Sequence, residues 1–557
     1  MRAIKKHKLK ISLIFALLIS TFLCVYTIAN YKGSNDVNQN RMGQFNFDGG
    51  GRNQFPNNGN EGGMPGGHSL DSNSQPNQNN TTPTDASGDN TGNKGMTPPN
   101  SHDGGGQGQA RAPSNGGMWG GSGRTSNTNS NYAPFVMVYS LMFLSLSVGI
   151  YILYRNKKIK IDSKTAKLLI LSLIGIGFLL RIVLGLSFRG FSTDISLFKN
   201  WANSAANSLS QFYSNARSSD YPPAYIYVLC LVGKLVKVSV LSKYFTLIIK
   251  LPSIIADIAT AYLIYRIASK YLSQEISVLL LTFYMFNPAV FINSTLWGQV
   301  DSFFTFIVAC AVFFMTEGKI ALSSVIFTVG VLMKPQGIIY LPVVFFELVR
   351  RKELKTILKS AACALITAVV IILPFSINKG VTWIFQLFSG TLSEYPYASM
   401  NGFNFYSLIG KNYVNDSSTF FIFSYHVWGM IFIILITLFT WFIYIKGNDK
   451  LYASAAALIQ IAGVFTFSTR MHERYLFPAA ALAILAFIYL RDKRILLFVT
   501  GFSATIYLNT YAILFQSSGS VYNAIISITS LLNVVLFIYL IKIVWDIIIR
   551  KRVQMIE

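Results

Sequence analysis

Leu168–Leu186, LLILSLIGIGFLLRIVLGL, decides the fold: it carries one charge, Arg181, and matches the run of about 20 apolar residues that a helix needs to cross a bilayer. Shortly after it come Thr193-Asp194-Ile195-Ser196, then Trp201, then Asp220-Tyr221-Pro222-Pro223. Two carboxylates thus stand in one polar loop beside a span. A chain that lies mostly in lipid has little use for acids there unless it binds or reacts with something.

The rest of the composition agrees with a membrane location. Of 557 residues 52% are hydrophobic and 14% aromatic, too apolar for an ordinary soluble protein and enough for many spans. The fold expected is an all-α polytopic membrane protein. The formal net charge of +24 does not point to nucleic acid, because the basic residues sit in short clusters beside apolar runs, as cytoplasmic loops do. Cys24, Cys230, Cys310 and Cys363 are scattered through apolar segments, which supports neither a disulfide framework nor a metal-binding cluster.

Along the chain, Arg2, Lys5, Lys6, Lys8 and Lys10 precede the apolar stretch Ile11–Ala29, which reads as an uncleaved signal anchor, residues 1–32, with its amino end inside. Residues 33–133 turn to Gly, Asn, Ser, Pro and Gln and are expected to be a disordered extracytoplasmic segment. Residues 134–166 supply a second span and a basic loop, and residues 167–557 the core. Apolar runs in the core fall at 168–186, 251–265, 278–292, 303–315, 320–332, 337–348, 357–374, 420–445, 451–467, 476–490, 495–515 and 521–549. Threaded alternately, they bring Arg155-Asn156-Lys157-Lys158, Arg350-Arg351-Lys352, Arg491-Asp492-Lys493-Arg494 and Arg550-Lys551-Arg552 to the cytoplasmic side, along with both termini. The short pair 320–332 and 337–348 reads as a hairpin or a broken helix around Lys334-Pro335.

The same threading places the polar segments 189–223, Trp297-Gly298-Gln299-Val300-Asp301, 376–418 and Thr469-Arg470-Met471-His472-Glu473-Arg474 outside, joined by Lys334-Pro335-Gln336 if the hairpin holds. Asp194 or Asp220 could serve as a general base; equally, Asp194 could cap a helix amino terminus and Asp220 sit in a turn, and spacing alone leaves both readings open. Arg470, His472, Glu473 and Arg474 form a dense ionic cluster of the kind that holds a phosphate, or else an interfacial anchor with internal ion pairs. Lys334 is costly in its apolar setting unless it is paired or faces a ligand, and Arg181 and Asp257, inside two spans, are expected to neutralise one another. The chain has no Gly-rich nucleotide loop, so a phosphate-bearing substrate arriving through the lipid fits better than a nucleotide-driven machine.

At these residues the chain resembles the GT-C fold glycosyltransferases, the bacterial relatives of the GPI mannosyltransferases and of the glucosyltransferases that extend lipid-linked oligosaccharide. The resemblance rests on Asp194 with Trp201, DYPP at 220–223, KLPSIIAD at 250–257, WGQVDS at 297–302, KPQG at 334–337 and HERYLFP at 472–478, and covers residues 168 to the carboxy terminus. It implies a multi-span helical bundle with external loops forming the active site, and inverting transfer of a hexose, expected to be mannose, from a polyprenyl-phosphate sugar. The acceptor would be a glycan, lipid or protein outside the plasma membrane, and the reaction would use neither nucleotide nor metal cofactor. Asp194 would be the base, His472, Arg474 and Lys334 would hold the donor phosphate, and Asp220, Tyr221, Gln299, Asp301 and Glu473 would line the substrate site. The chain lacks an Asp-x-Asp near Asp194, which separates it from the metal-dependent oligosaccharyltransferases. A transporter or flippase of a lipid-linked glycan is the alternative, although no internal repeat is visible.

Overall fold

The computed structural model describes residues 2–33, 132–156, 160–216, 218–377, 379–515 and 518–555, all within one compact unit. The low-complexity segment and Lys157-Lys158 lie outside the described residues. Among those described, nine helices are long and apolar enough to cross a membrane, and the bent pair Gln274–Phe286 and Pro288–Trp297 makes ten if it counts as one span. Helix dominates for a physical reason: hydrocarbon offers no water, so backbone groups must pair within their own segment. Among the described residues, strand pairing is confined to isolated bridges and one two-residue ladder, Thr419–Phe420 against Phe423–Ser424, in a loop between spans.

At the centre stand the Ala453–Phe467 and Ala479–Leu490 helices, in which nearly every residue is buried. Their alanines let neighbouring backbones approach closely, which is how helices associate without a hydrophobic driving force between them. At the periphery, Ile11–Asn30, Ala133–Arg155 and Leu354–Phe375 bury little and turn side chains such as Phe15, Phe135 and Leu365 outward, as lipid-facing spans do. All four cysteines are unpaired.

Two departures from the sequence expectation matter for the site. The first is the Pro223–Val236 helix, which the run-by-run reading of the sequence passes over. It packs on the amphipathic Ser192–Asn207 helix at Gly233, where an added Cβ would lie 2.1 Å from the Ala202 carbonyl oxygen. The second is the span starting at Phe245, six residues before the apolar run, which takes in the charge of Lys250 and keeps Pro252 inside the helix.

The hairpin expectation around Lys334 holds. The Ile320–Met333 helix ends because Lys334 precedes Pro335 and is driven to extended backbone (φ −150°, ψ 131°); a 3-10 turn, Pro335–Tyr340, then leads into Leu341–Arg351. Arg351 at the far end reaches the Gly318 carbonyl at 3.5 Å, so both limbs return to one face and Lys334 stands at the tip. On that returning face Arg350 meets the Asn448 carbonyl, Lys270 pairs with Glu317, Arg491 covers Tyr271 and Arg494 reaches the Arg552 carbonyl. The described basic clusters after residue 300 therefore share one face, as alternate threading requires.

Candidate active site

The site is built on a span that breaks. Asn287 caps the Pro288–Phe291 turn through its side chain, and proline stops the preceding helix, so the two parts meet at 40°. The chain then widens into a π turn, Ile292–Trp297, whose Asn293 carbonyl accepts from both Gly298 and Gln299 at 3.1 and 3.0 Å. π turns of this kind interrupt helices at functional places. Gly298, at φ +90°, reverses the chain, and Asp301 opens the next helix.

Against this break docks the loop that carries Asp194. The Phe191 amide donates to the Trp297 carbonyl at 2.9 Å, and a Cβ on Gly190 (φ +89°) would lie 2.8 Å from that same oxygen. Only glycine permits the approach. The Ser192–Asn207 helix starts here with Phe191 at its cap position and no side-chain cap, so Asp194 does not cap the helix but sits in its first turn. Its Oδ2 accepts from Trp297 Nε1 at 2.7 Å and from Gln299 Nε2, and Arg474 lies 3.5 Å away. Oδ1 carries none of these contacts, and the side chain keeps 20% of its surface exposed, against 1% for Asp301 and 4% for Lys334. Of the three groups, Asp194 is the one a substrate can reach.

The cations come from two other elements. Lys334, at the hairpin tip, pairs with Asp301, whose other oxygen accepts from Asn293 at 3.1 Å. Arg474 pairs with Glu473 at 2.9 Å, faces Asp301 at 3.7 Å and lies over the Trp297 ring at 5.6 Å. The segment that holds Arg474 is fixed from outside: the Met400 amide donates to the Met471 carbonyl at 3.0 Å, and His472 forms backbone bridges with Met400 and Asn401. Asn509 and Asn533, from two further spans, hold the Asn401 to Phe403 turn through hydrogen bonds of 2.8 to 3.0 Å.

Burial sets the charge state of the remaining acids. It pushes the Asp220 carboxyl up to about 7, with repulsion from Glu394 adding to the shift, and it raises Glu473 and Glu394 in the same sense. His472 is pushed down to about 3 by burial and by repulsion from Arg474 and Lys334, so its imidazole is neutral at physiological pH.

Asp194, Gln299, Asp301, Lys334, Glu473 and Arg474 thus converge. His472 contributes a neutral ring between Tyr395 and Tyr475, 5.0 Å from each, and not a charge. Tyr221 packs its ring with Phe198, Trp201 and Tyr225, joining the Asp194 helix to Pro223–Val236, and stays within electrostatic reach of Arg474, Asp301 and Asp194. Arg470 pairs with Asp416 at 2.7 Å and stands apart from the Arg474 group, and Arg181 and Asp257 do pair, at 3.3 Å. Sequence reasoning gave no role to Trp297, Asn293, Tyr475 or Glu394. Glu394 lies in the polar 376–418 segment that the sequence reading places outside, and Asn293 opens the polar Asn293-Ser294-Thr295 stretch just after the apolar run 278–292.

Fold and site together define an all-α, multi-span membrane protein with a charged cluster where a broken span ends. No protein-family model matches the chain, and no curated protein matches it.

Proposed function

We propose that the protein is an integral-membrane inverting glycosyltransferase that moves a hexose, expected to be mannose, from a polyprenyl-phosphate sugar to an acceptor hydroxyl on the outer face of the plasma membrane. The observation that carries this reading is the part-exposed carboxylate of Asp194, 3.5 Å from Arg474 in a charged cluster that also holds Lys334. In the reaction Asp194 accepts the acceptor proton while the acceptor oxygen bonds the anomeric carbon. The bond from that carbon to the phosphate oxygen breaks, and its electron pair leaves with polyprenyl phosphate. Arg474, with Lys334 behind it, meets the charge that develops on the leaving oxygen. Phosphate already leaves well, so one base suffices where a glycosidase needs an acid as well.

A second feature fits the lipid part of the donor. Two residues beyond Gln336 begins an apolar groove of about 520 Å³, lined by Ile338, Leu341, Phe345, Leu438 and Trp441. These side chains are strongly exposed, and a polyprenyl tail would cover them. Purified protein given polyprenyl-phosphate mannose or glucose, with water or a membrane extract as acceptor, should release polyprenyl phosphate in an Asp194-dependent way. Wild-type turnover by Asp194→Asn would overturn the assignment of the base. Scrambling of lipid-linked sugar across vesicles with no glycoside formed would replace the enzyme with a transporter.

A further inference from the structure

Lys250 has no exposed surface, yet both of its hydrogen-bond acceptors are main-chain carbonyls: Phe188 at 2.7 Å and Gly185 at 3.3 Å. A charge buried in a span on carbonyls alone is expensive to keep. The carbonyls are those at the end of the Ser163–Ser187 helix, where the helix dipole is negative, so the ammonium caps that span. One turn along the same face of the Lys250 helix, Ser253 Oγ donates to the Gln299 carbonyl at 2.6 Å. The two acceptor segments are the ones that deliver Asp194 and its hydrogen-bond donors. Phe188 leads through Gly190 into the Asp194 helix, while Gln299 and Trp297 donate to the carboxylate. The Lys250 stem also packs on the reversal, since a Cβ on Gly298 would lie 3.3 Å from Lys250 Cε.

We propose that Lys250 and Ser253 are positioning residues that lock the end of the Ser163–Ser187 span and the Gly298-Gln299 reversal to one helix face, and so fix Asp194 against Trp297 and Gln299. Neither touches a reacting atom. The kinetic consequence rests on the glycosyltransferase reading; the structural one does not.

The test uses full-length protein in lipid nanodiscs, with Lys250→Met, Ser253→Ala and the conservative Ser253→Thr. A displacement near 1 Å costs about 100-fold in rate, so Lys250→Met should lose about that factor in kcat and Ser253→Ala about 10-fold, each with the donor KM held within about twofold. Ser253→Thr should restore most of the Ser253→Ala loss. In parallel, amide hydrogen exchange should rise in the peptides covering 188–198 and 293–301 and stay unchanged in the central 453–467 helix. A raised KM with unchanged kcat, unaltered exchange in both variants, or exchange that rises everywhere would overturn the proposal. If wild-type protein turns over no donor, the enzyme reading fails, and the exchange measurement alone still decides the positioning. Should Lys250→Met not fold, Ser253→Ala carries both readouts.

Discussion

Two buried ionic clusters stand at opposite ends of the Asp301–Thr316 helix, among others in the described residues, and these two are finished differently. Beyond its carboxy end, Glu347 has no exposed surface and accepts from Arg350 twice, at 2.7 and 2.9 Å, from Arg351 at 2.8 Å and from the Tyr444 hydroxyl at 2.8 Å. At its amino end, the cluster of Asp194, Asp301, Lys334 and Arg474 keeps capacity in reserve: Arg474 Nε, Gln336 Oε1, Asn293 Oδ1 and Asp220 Oδ1 are buried without a hydrogen-bond partner. Buried polar groups are almost always satisfied; others without a partner, such as Tyr284, Gln460 and Asn533, are scattered through the spans, whereas these four surround one cluster of charges. A ligand supplies partners at the open cluster. The closed cluster needs none, and its work is to hold helix ends together.

The contrast is broken most directly by the largest effect. Asp194→Asn should lower transfer about 1,000-fold while donor binding persists, the range expected for removing a positioned base. Next, Arg474→Lys keeps the charge but loses the planar fork, and should cost about 100-fold in kcat with little loss of stability. If it destabilises the protein as much as a change in the closed cluster does, the two clusters do not differ in kind.

How much of this was legible in the sequence follows from the same physics. Spans were visible because lipid demands continuous apolar runs, and the hairpin tip because Lys-Pro is a poor helix sequence. The Phe245–Tyr271 span was truncated because Lys250 reads as an end signal; nothing local reveals that the carbonyls of another helix accept its charge. Asp194, Lys334 and Arg474 could be named as candidates because charge is rare in such a chain. That Tyr221 packs on the Asp194 helix and His472 is neutral depends in part on Trp201 and Lys334, 20 and 138 residues away in sequence. Arg470 and Arg474 look alike in sequence and separate only because Asp416, from a distant loop, takes one of them.

A smaller effect sharpens the comparison from the closed side. Glu347→Gln breaks a four-bond acceptor that is wholly buried and leaves two partly exposed arginines short of a partner. The expected loss is about 2 kcal/mol of stability, measured by denaturant titration in detergent, with kcat unchanged at a permissive temperature. A fall in kcat without a fall in stability would move Glu347 into the functional group.

A pH-dependent effect concerns Asp220, whose orphaned Oδ1 places it with the open cluster. In the folded protein its carboxyl holds its proton up to about 7, because burial and Glu394 disfavour the anion. An unfolded aspartate releases the proton at about pH 4. Between those values the folded state binds more protons than the unfolded one, so this residue's contribution to stability falls as pH rises from about 4 to about 7 and levels off above that. Asp220→Asn keeps the shape and removes the titration. The variant should therefore gain stability over wild type progressively between pH 5 and 7, with a constant difference at pH 8. A difference that does not change with pH would mean that Asp220 is ionised and compensated throughout, and its side of the cleft would then be closed in the way the Glu347 cluster is.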